Sequence, residues 1–453
     1  MSHTRNPGGP AGAAAGRIVI ISASVGAGHD GAAGQLARGL AAHGLTVDRH
    51  DFLDLLPLRL GRAVRGGYHR LLTHAPWAYQ RIYAATERDG TGRLTEAVLR
   101  TARRRTLAVL PPDTRAVVAT YPLAGQVLGA LRRTGRLTVP VLTYLTDFSV
   151  HATWVADGVD THLAAHPIPA AQAEAHGAAR VEVTGPVVDP RFTRATPALR
   201  AAARARFGLP ADAPLALLVA GSWGVGPIER AATEIRDRGA AVPVVVCGRN
   251  RALADRLRAH GVPYAFGWVD DMPALMHAAD VLVQNAGGLT SLEAFAAGLP
   301  VASYGCIPGH GRTNAAALDA AGLAVWIRSP DDLRPVLAEL LHGPRGRRQR
   351  AAGRALFTGD TAREAGGHGR FARRAAPVAG PVGAVLDAAT RPVLAPVPAS
   401  AATRPVRAAR RRPQTRTALA LAAVLAAAVL AGPEAAETTV ARSGFHLLYA
   451  FVR

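Results

Sequence analysis

The 453-residue chain contains no lysine: all 53 of its Lys+Arg residues are arginine. Beside heavy use of Ala and Gly, that replacement reads as a bias toward GC-rich codons, so arginine abundance alone does not argue for phosphate binding. Acidic residues are also scarce, 32 Asp+Glu, which leaves a formal charge of +21. Such a surface favours anionic partners, nucleic acid or an anionic membrane. Only two cysteines occur, Cys247 and Cys306, each inside an apolar strand-like segment. That excludes a disulfide framework and a cysteine-based zinc site, and fits a reducing compartment. No other metal-ligand spacing is visible, and aromatics make up only 5% of the chain. The N-terminal "MSHTRNPGGPAGAAAG" lacks the apolar core of a signal peptide and reads as a disordered leader, 1–16.

What is present is a rhythm repeated twice. "RIVIISAS", "LTVDRHDFL", "AVVATYP", "VPVLTYLTDF", "THLAAHP" and "VEVTGPVV" alternate with helix-compatible Ala/Leu/Arg segments. The pattern restarts with "LALLVAGS", "VPVVVCG", "PYAFGWV", "DVLVQNAGG", "LPVASYGC" and "LAVWIRS". Short buried-type strands alternating with helices predict parallel, doubly wound sheets. Two such domains, over 17–195 and 196–342, place a cleft between loops at the carboxyl ends of both sheets. Residues 343–416 read as a basic, Pro/Ala-rich segment and linker with room for one or two helices. The charge-free run 417–432, "TALALAAVLAAAVLAG", would be about 24 Å long as a helix, against roughly 30 Å of hydrocarbon core. A single transmembrane helix, an internal signal-like segment and a soluble Ala-rich helix all remain open for it. A short tail, 433–453, follows.

The first loop, "SASVGAGHDG", carries Gly26, Gly28 and Gly31 in the G-x-G-x-x-G spacing of a dinucleotide turn, with Asp48 or Asp51 at the distance of a ribose-binding acid. That pattern predicts NAD or FAD binding dependent on Gly26 and Asp48, but leaves the second half unexplained. The strand-like run ends near Ser22, so the loop is longer than a dinucleotide turn. His29 stands where the fingerprint tolerates any residue.

In the second half, "NAGGLTSLEAF" places Gly287 and Gly288 at a strand end, Thr290 at a helix start, and Glu293 in its first turns. Glycines let backbone N–H groups approach an anion at a helix N-terminus, and a carboxylate there can accept from a ribose diol. Glu293 as a helix-capping acid is the plainer alternative. A second glycine-rich turn, Gly221-Ser-Trp-Gly-Val-Gly226, lies upstream, and Trp268 with Val269 ends a strand where a planar base could stack. Together these describe a nucleotide-sugar site.

The same residues make the chain similar to the GT-B glycosyltransferases of the monogalactosyldiacylglycerol synthase and processive diacylglycerol glucosyltransferase family, which are related to the peptidoglycan lipid II-forming N-acetylglucosaminyltransferase. The resemblance covers roughly 17–341 and rests on "SASVGAGH", "TYLTDFSVHATWVADGVD", "VTGPVVDPRF", "GSWGVGPIE" and "NAGGLTSLEAFAAGLPV". It implies two Rossmann-like domains facing a central cleft and an inverting transfer of a hexose from a UDP-sugar to a lipid such as diacylglycerol. The UDP-sugar is then a co-substrate, with no separate cofactor and no metal. Glu293 would bind the ribose; Gly221, Ser222, Gly224, Gly287, Gly288 and Thr290 would cradle the phosphates; Trp268 and Val269 would face uracil, and His310 the sugar. Across the cleft, His29 would deprotonate the acceptor hydroxyl, with Asp147 orienting it or acting itself.

Gly28, His151, Trp154, Arg62, Arg65, Tyr68 and Trp77 would serve the acceptor and membrane side, where Arg and aromatic side chains interleave as in an interface-lying segment. Packing at a strand-to-loop junction is the alternative for His151 and Trp154, and a structural role is expected of Asp160. These features place the protein at the cytoplasmic face of the membrane, peripheral or held by 417–432, on an anionic surface and without a nucleic-acid partner. One departure stands out: the family's "IPG" turn continues Gln-Glu, whereas "CIPGHGRTN" has His310 and Gly311. Glucose or galactose specificity therefore does not carry over. A different lipid or natural-product acceptor, or a degenerate nucleotide-sugar-binding protein without catalysis, are the alternatives.

Overall fold

A computed structural model describes residues 16–90, 92–239, 241–358 and 380–390. The first unit runs β1 (Arg17–Ser22), α1 (Ala27–Ala42), β2 (Thr46–Asp51), α2 (Leu60–His74), α3 (Pro76–Asp89), α4 (Gly92–Ala108), β3 (Thr114–Ala119), α5 (Pro122–Arg133), β4 (Val141–Tyr144), β5 (Thr161–Ala164), α6 (Pro167–Ala175) and β6 (Val181–Val183). The second runs α7 (Pro197–Arg206), β7 (Leu215–Val219), α8 (Ile228–Arg238), β8 (Val242–Val246), α9 (Arg251–Ala259), β9 (Ala265–Phe266), α10 (Met272–Ala278), β10 (Val281–Gln284), α11 (Leu289–Ala296), β11 (Val301–Ser303), α12 (His310–Ala320), β12 (Ala324–Trp326) and α13 (Leu333–His342). Each strand-like run of the sequence overlaps one of these strands, in order.

Both sheets are six-stranded and parallel, in the orders β2-β1-β3-β4-β5-β6 and β12-β11-β10-β7-β8-β9. Their apolar strands bury both faces. Val19 and Ile21 of β1 pack into one core layer, Ile18 and Ile20 into the layer on the opposite face. Leu215 and Leu217 of β7 alternate with Ala216 and Leu218 in the same way. Helices on both faces are what such double burial requires. β2, "TVDRHD", is the polar exception, and it lies at the sheet edge.

Two arginine–aspartate devices repeat between the units. Asp160, just before β5, accepts the Val141 N–H at 2.8 Å and pairs with the fully buried Arg132 at 3.1 Å. Asp280, just before β10, accepts the Leu215 N–H at 2.8 Å and pairs with the buried Arg204, also at 2.8 Å. Each carboxylate thus fixes where two neighbouring parallel strands begin. Asp160 takes the structural role expected of it.

Within 343–416, read from sequence as a linker with one or two helices, the chain forms α14 (Pro344–Thr358) and α15 (Gly380–Thr390). α14 packs on the second unit: a Cβ on Gly353 would meet Phe295 at 3.1 Å, and buried Gln349 accepts the Val301 N–H at 2.9 Å. α15 packs on the first, where Val385 joins Ile18, Leu36 and Leu40 in one core. The 417–432 run, the 433–453 tail and residues 1–15 of the leader lie outside the described residues. Among the described residues no helix is long and apolar enough to cross a membrane.

Removing the carboxylate at Asp160 takes an ionic partner from the buried Arg132 and the acceptor from the Val141 N–H. Asp160→Ala is expected to lower unfolding free energy by about 3–5 kcal/mol, read from urea denaturation, with Asp280→Ala of similar size.

Candidate functional site

In a doubly wound sheet the crevice opens where strand order reverses, at the carboxyl ends of the strands. The first sheet reverses between β1 and β3, the second between β7 and β10. The side chains singled out from sequence cluster at these two places.

At the first crevice the chain leaves β1 at Ser22 and enters α1 at Ala27, with Gly26 as its N-cap. His29 is therefore on the first turn of α1 rather than in the loop. Its Nδ1 lies 2.7 Å from the Thr120 carbonyl, which follows β3, and 3.0 Å from Thr146 Oγ1, which follows β4. A carbonyl only accepts, so Nδ1 carries the proton and Nε2 keeps its lone pair. Nε2 has no hydrogen-bond partner among the described residues. The ring stands 5.3 Å from Tyr121 and 5.8 Å from Trp154, centroid to centroid.

Asp147 joins the same cluster by another route: its Oδ2 accepts from Trp154 Nε1 and its Oδ1 from Asn314 Nδ2, each at 3.2 Å. The group that orients His29 is thus the Thr120 carbonyl, and the carboxylate is held by Trp154 and Asn314. His151 is fastened on both sides. Its Nδ1 accepts the Thr153 N–H at 3.1 Å, and its Nε2 faces the Tyr83 carbonyl at 3.0 Å and Glu87 at 3.2 Å. That is the packing alternative, a lock between the loop and α3.

The acids that completed the dinucleotide pattern are committed elsewhere. Asp48 pairs with Arg17 at 2.8 Å, while Asp51 holds the loop through Ser24, Arg65 and the Leu53 N–H. Neither is free for a ribose, so the fingerprint match is a coincidence of spacing.

At the second crevice Gly221, Gly224 and Gly226 all have positive φ, 67°, 62° and 100°, where a side chain would be strained. Gly226 sits so close to Asn285 that a Cβ would approach its amide at 2.6 Å, and this contact joins the two glycine-rich turns. Gly287, at φ 72°, donates its N–H to the Gln284 side chain, and Gly288 is the N-cap of α11. Thr290 follows as the second residue of that helix. The Ser222 carbonyl accepts the Arg249 N–H at 3.0 Å, and Arg249 lies 5.2 Å over the ring of Trp268. Trp268 is 51% exposed, with its indole N–H on Asp270 at 2.8 Å, and Val269 beside it packs partly into the core. Glycine turns, Arg249 and Trp268 therefore line one edge of the sheet. Burial, with Asp189 nearby, pushes the Glu293 carboxyl up to about 7, while hydrogen bonding to Arg191 holds Asp189 down at about 2.

The two crevices close on each other. A Cβ on Gly31 would collide with Leu289 of α11, and Gly28, expected on the membrane side, also faces that residue. α3 reaches across to the start of α12: Gln80 accepts the Gly309 N–H at 2.8 Å, Tyr79 bonds His310 Nδ1 at 3.0 Å, and Tyr83 bonds Thr313 at 3.2 Å. Burial lowers the His310 pKa, so its ring is held neutral. A Cβ on Gly311 would meet Asn285 O at 2.7 Å, so the family's acidic side chain has no room there.

Tyr68 faces inward, 5.5 Å from Tyr79 and 5.9 Å from Trp223, and Arg65 turns to Ser24 and Asp51. Of the acceptor-side residues, Arg62 and Trp77 are exposed, Trp77 with Arg81 over its ring at 5.4 Å; Leu58, before α2, is 94% exposed. Sequence reasoning missed Thr120, Gln80 and Asn314, and read Tyr79 as an aromatic of the interface-lying segment. Only Asn314 carried a signal, lying one helical turn after His310 on the same face.

Residues 29–188 match the profile of monogalactosyldiacylglycerol (MGDG) synthase, and residues 228–355 that of glycosyl transferases group 1. The resemblance read from the sequence stands. A processive diacylglycerol beta-glucosyltransferase of Bacillus subtilis is 28% identical over 50% of this chain and 60% of its own length. A probable chloroplastic monogalactosyldiacylglycerol synthase of Glycine max is 30% identical over 49% and 45%. The chain thus spans about 60% of the length of the Bacillus subtilis relative. Among solved structures, Medicago truncatula UGT71G1, complexed with UDP-glucose, superposes with a TM-score of 0.51 at 12% identity, over 83% of this chain and 98% of that one. The fold is GT-B.

Because the folded state keeps the Glu293 proton to about 7 whereas the unfolded chain releases it near 4.5, stability from this group falls as pH rises across that window. Glu293→Gln should therefore be more stable than the parent at pH 8, by up to roughly 3 kcal/mol, and nearly equal to it at pH 4. Denaturant melts at the two pH values measure the difference.

Proposed function

We propose that this protein is an inverting hexosyltransferase that moves a hexose from a UDP-sugar to a lipid acceptor such as diacylglycerol at the cytoplasmic face of the membrane. One observation carries the reading: an imidazole with a free Nε2 at one switch point faces two glycine-rich turns and an unpaired carboxyl at the other. In this reading Glu293 holds the ribose diol, and the N–H groups of Gly221, Ser222, Gly224 and Gly288 take the diphosphate, with the Thr290 hydroxyl beside them; Gly287, its own N–H on Gln284, shapes the turn. Trp268 and Val269 take the uracil, and neutral His310 stands at the sugar. The acceptor oxygen attacks the anomeric carbon while its proton passes to His29 Nε2. On the opposite side the anomeric C–O bond breaks, and UDP leaves with the electron pair. Asp147, bonded to the Trp154 indole whose ring lies 5.8 Å from His29, adds a carboxylate to that side of the cleft. Base and leaving group on opposite sides of the cleft produce inversion.

Membrane contact is supported by the exposed Leu58, Arg62 and Trp77 on one unit, with Arg81 stacked on the last. No cofactor beyond the nucleotide sugar is invoked. A non-catalytic nucleotide-sugar binder is the second reading, favoured by one observation: the wedge of Gly311 against Asn285 O removes the family's sugar-binding carboxylate.

Purified protein given UDP-glucose, UDP-galactose or UDP-N-acetylglucosamine with diacylglycerol vesicles should release UDP. His29→Ala should lower kcat by about 100- to 10,000-fold with UDP affinity retained, whereas Glu293→Ala should lose UDP binding. Since the diol is best accepted by a carboxylate, UDP affinity should rise with pH through about 7, and Glu293→Gln should flatten that dependence. UDP binding by a folded sample that transfers no sugar would favour the binder.

A further inference from the structure

Asn314 is a buried amide on α12, in the donor unit, and all three of its hydrogen bonds are made where the two units meet. Its Oδ1 accepts the Ser149 N–H at 2.7 Å, from the loop that carries Asp147. Its Nδ2 donates to Asp147 Oδ1 at 3.2 Å and to the Ala286 carbonyl at 2.9 Å, and Ala286 immediately precedes Gly287 and Gly288. One side chain therefore touches the acceptor-side carboxylate, that carboxylate's backbone and the donor turn. No other side chain among the described residues donates to Oδ1, and the remaining donor to the carboxylate, Trp154, belongs to the acceptor unit itself.

We propose that Asn314 is a positioning residue that sets the Asp147 carboxylate from the donor side of the cleft, so that the acceptor-side charge is aligned only when the two sheets are closed on each other. The proposal rests on the glycosyl-transfer reading for its kinetic consequence, but not for its geometry. Opening the cleft removes the amide from Asp147 and from the Ser149 N–H together, while Trp154 stays. The carboxylate then keeps one donor of two and is free to turn. Gly287 adds a reason for the amide's fixed place: its Cα lies so near Asn314 Cβ that an added Cβ would approach to 2.7 Å. Displacing the donor turn would therefore be felt at Asn314, and through it at Asp147.

The indole N–H of Trp154 reports on this carboxylate without any turnover, because it donates to Asp147 Oδ2. Other titratable groups facing the carboxylate are Tyr68 from α2, Tyr79 and Tyr83 from α3, and His310 from α12, with His29 of α1 beyond the Trp154 ring. Burial keeps the three tyrosines neutral and lowers the pKa of His310.

The test uses the full chain labelled with 15N, its Trp154 indole N–H resonance assigned with Trp154→Phe and the exchange of that proton with solvent measured in the parent, Asn314→Ala and Asn314→Asp. A carboxylate free to turn lets go of the indole, so this N–H should exchange about tenfold faster in both variants than in the parent. In UDP-release assays both variants should lose kcat about tenfold or more, with UDP affinity within about threefold of the parent. An unchanged exchange rate in both variants overturns the proposal. So does a loss of UDP affinity that accounts for all the lost kcat, which would make Asn314 a support of the donor turn alone. If the parent releases no UDP, the transfer reading fails while the resonance still decides whether Asn314 sets Asp147. Asn314→Asp keeps the acceptor for Ser149 and the side-chain volume, so it serves where Asn314→Ala does not fold.

Discussion

A parallel strand can present its carboxyl end in only one direction, and every useful placement in this molecule follows from that constraint. In each sheet the strand order reverses once, beside β1 in the first and beside β7 in the second. The loops leaving those strands must diverge, which opens a crevice lined by helix N-termini and by carbonyls that the ladder no longer uses. The Thr120 carbonyl is such a group: freed at the end of β3, it takes the Nδ1 proton of His29 and so fixes the tautomer of the ring. On the other sheet the turns after β7 and β10 are adjacent because their strands pair, which brings Gly226 against Asn285. The Arg132–Asp160 and Arg204–Asp280 pairs fix the opposite ends of the same strands, and with them the register that brings the loops out level.

Two crevices on two sheets become one site only if something holds them face to face. Here the link is apolar as well as polar: Phe148 of the first unit enters the core of the second, and Gly31 lies against Leu289. α3 delivers Tyr79, Gln80 and Tyr83 to the first turn of α12, Asn314 joins Asp147 to Ala286, and Trp223 packs its edge against His69. Neutral hydrogen bonds across an interface are individually modest, because water competes for each when the units part. α14 carries Leu356 into the second unit's apolar core, which Phe148 and Phe192 of the first unit also enter, while α15 packs on the first unit.

The fold was legible because strand periodicity in a buried parallel sheet is a local property: runs such as "RIVIIS" and "LALLV" need no knowledge of their neighbours to read as strands. The glycine-rich turns were legible for a related reason, since positive φ favours glycine and glycine is visible. What could not be read was any role decided by a contact distant in sequence. Arg65 has the composition of an interfacial arginine, yet it is drawn to Asp51 at the end of β2. Tyr68 looks like a membrane anchor, yet it lies against Trp223 of the other unit. Asn314 is an ordinary helix residue until the loop carrying Asp147, 167 residues earlier, is laid beside it.

The departure at His310 and Gly311 gains a physical account from the same seam. A glycine at 311 lets the first turn of α12 settle against Ile307 and Asn285 O, closer than any side chain would permit. That approach allows α3 to reach the turn, where Gln80 caps the Gly309 N–H and Tyr79 takes His310. Several of the polar groups at this end of the cleft therefore come from α3 of the first unit rather than from α12 itself. With its ring neutral and one nitrogen already bonded to Tyr79, His310 has a single nitrogen left to offer. A carboxylate at 311 would present two acceptor oxygens, and it would hold α12 away from Asn285 and loosen the seam. The substitution thus exchanges a charged contact on one unit for closer contact between the two, and it makes the chemistry at the start of α12 depend on closure.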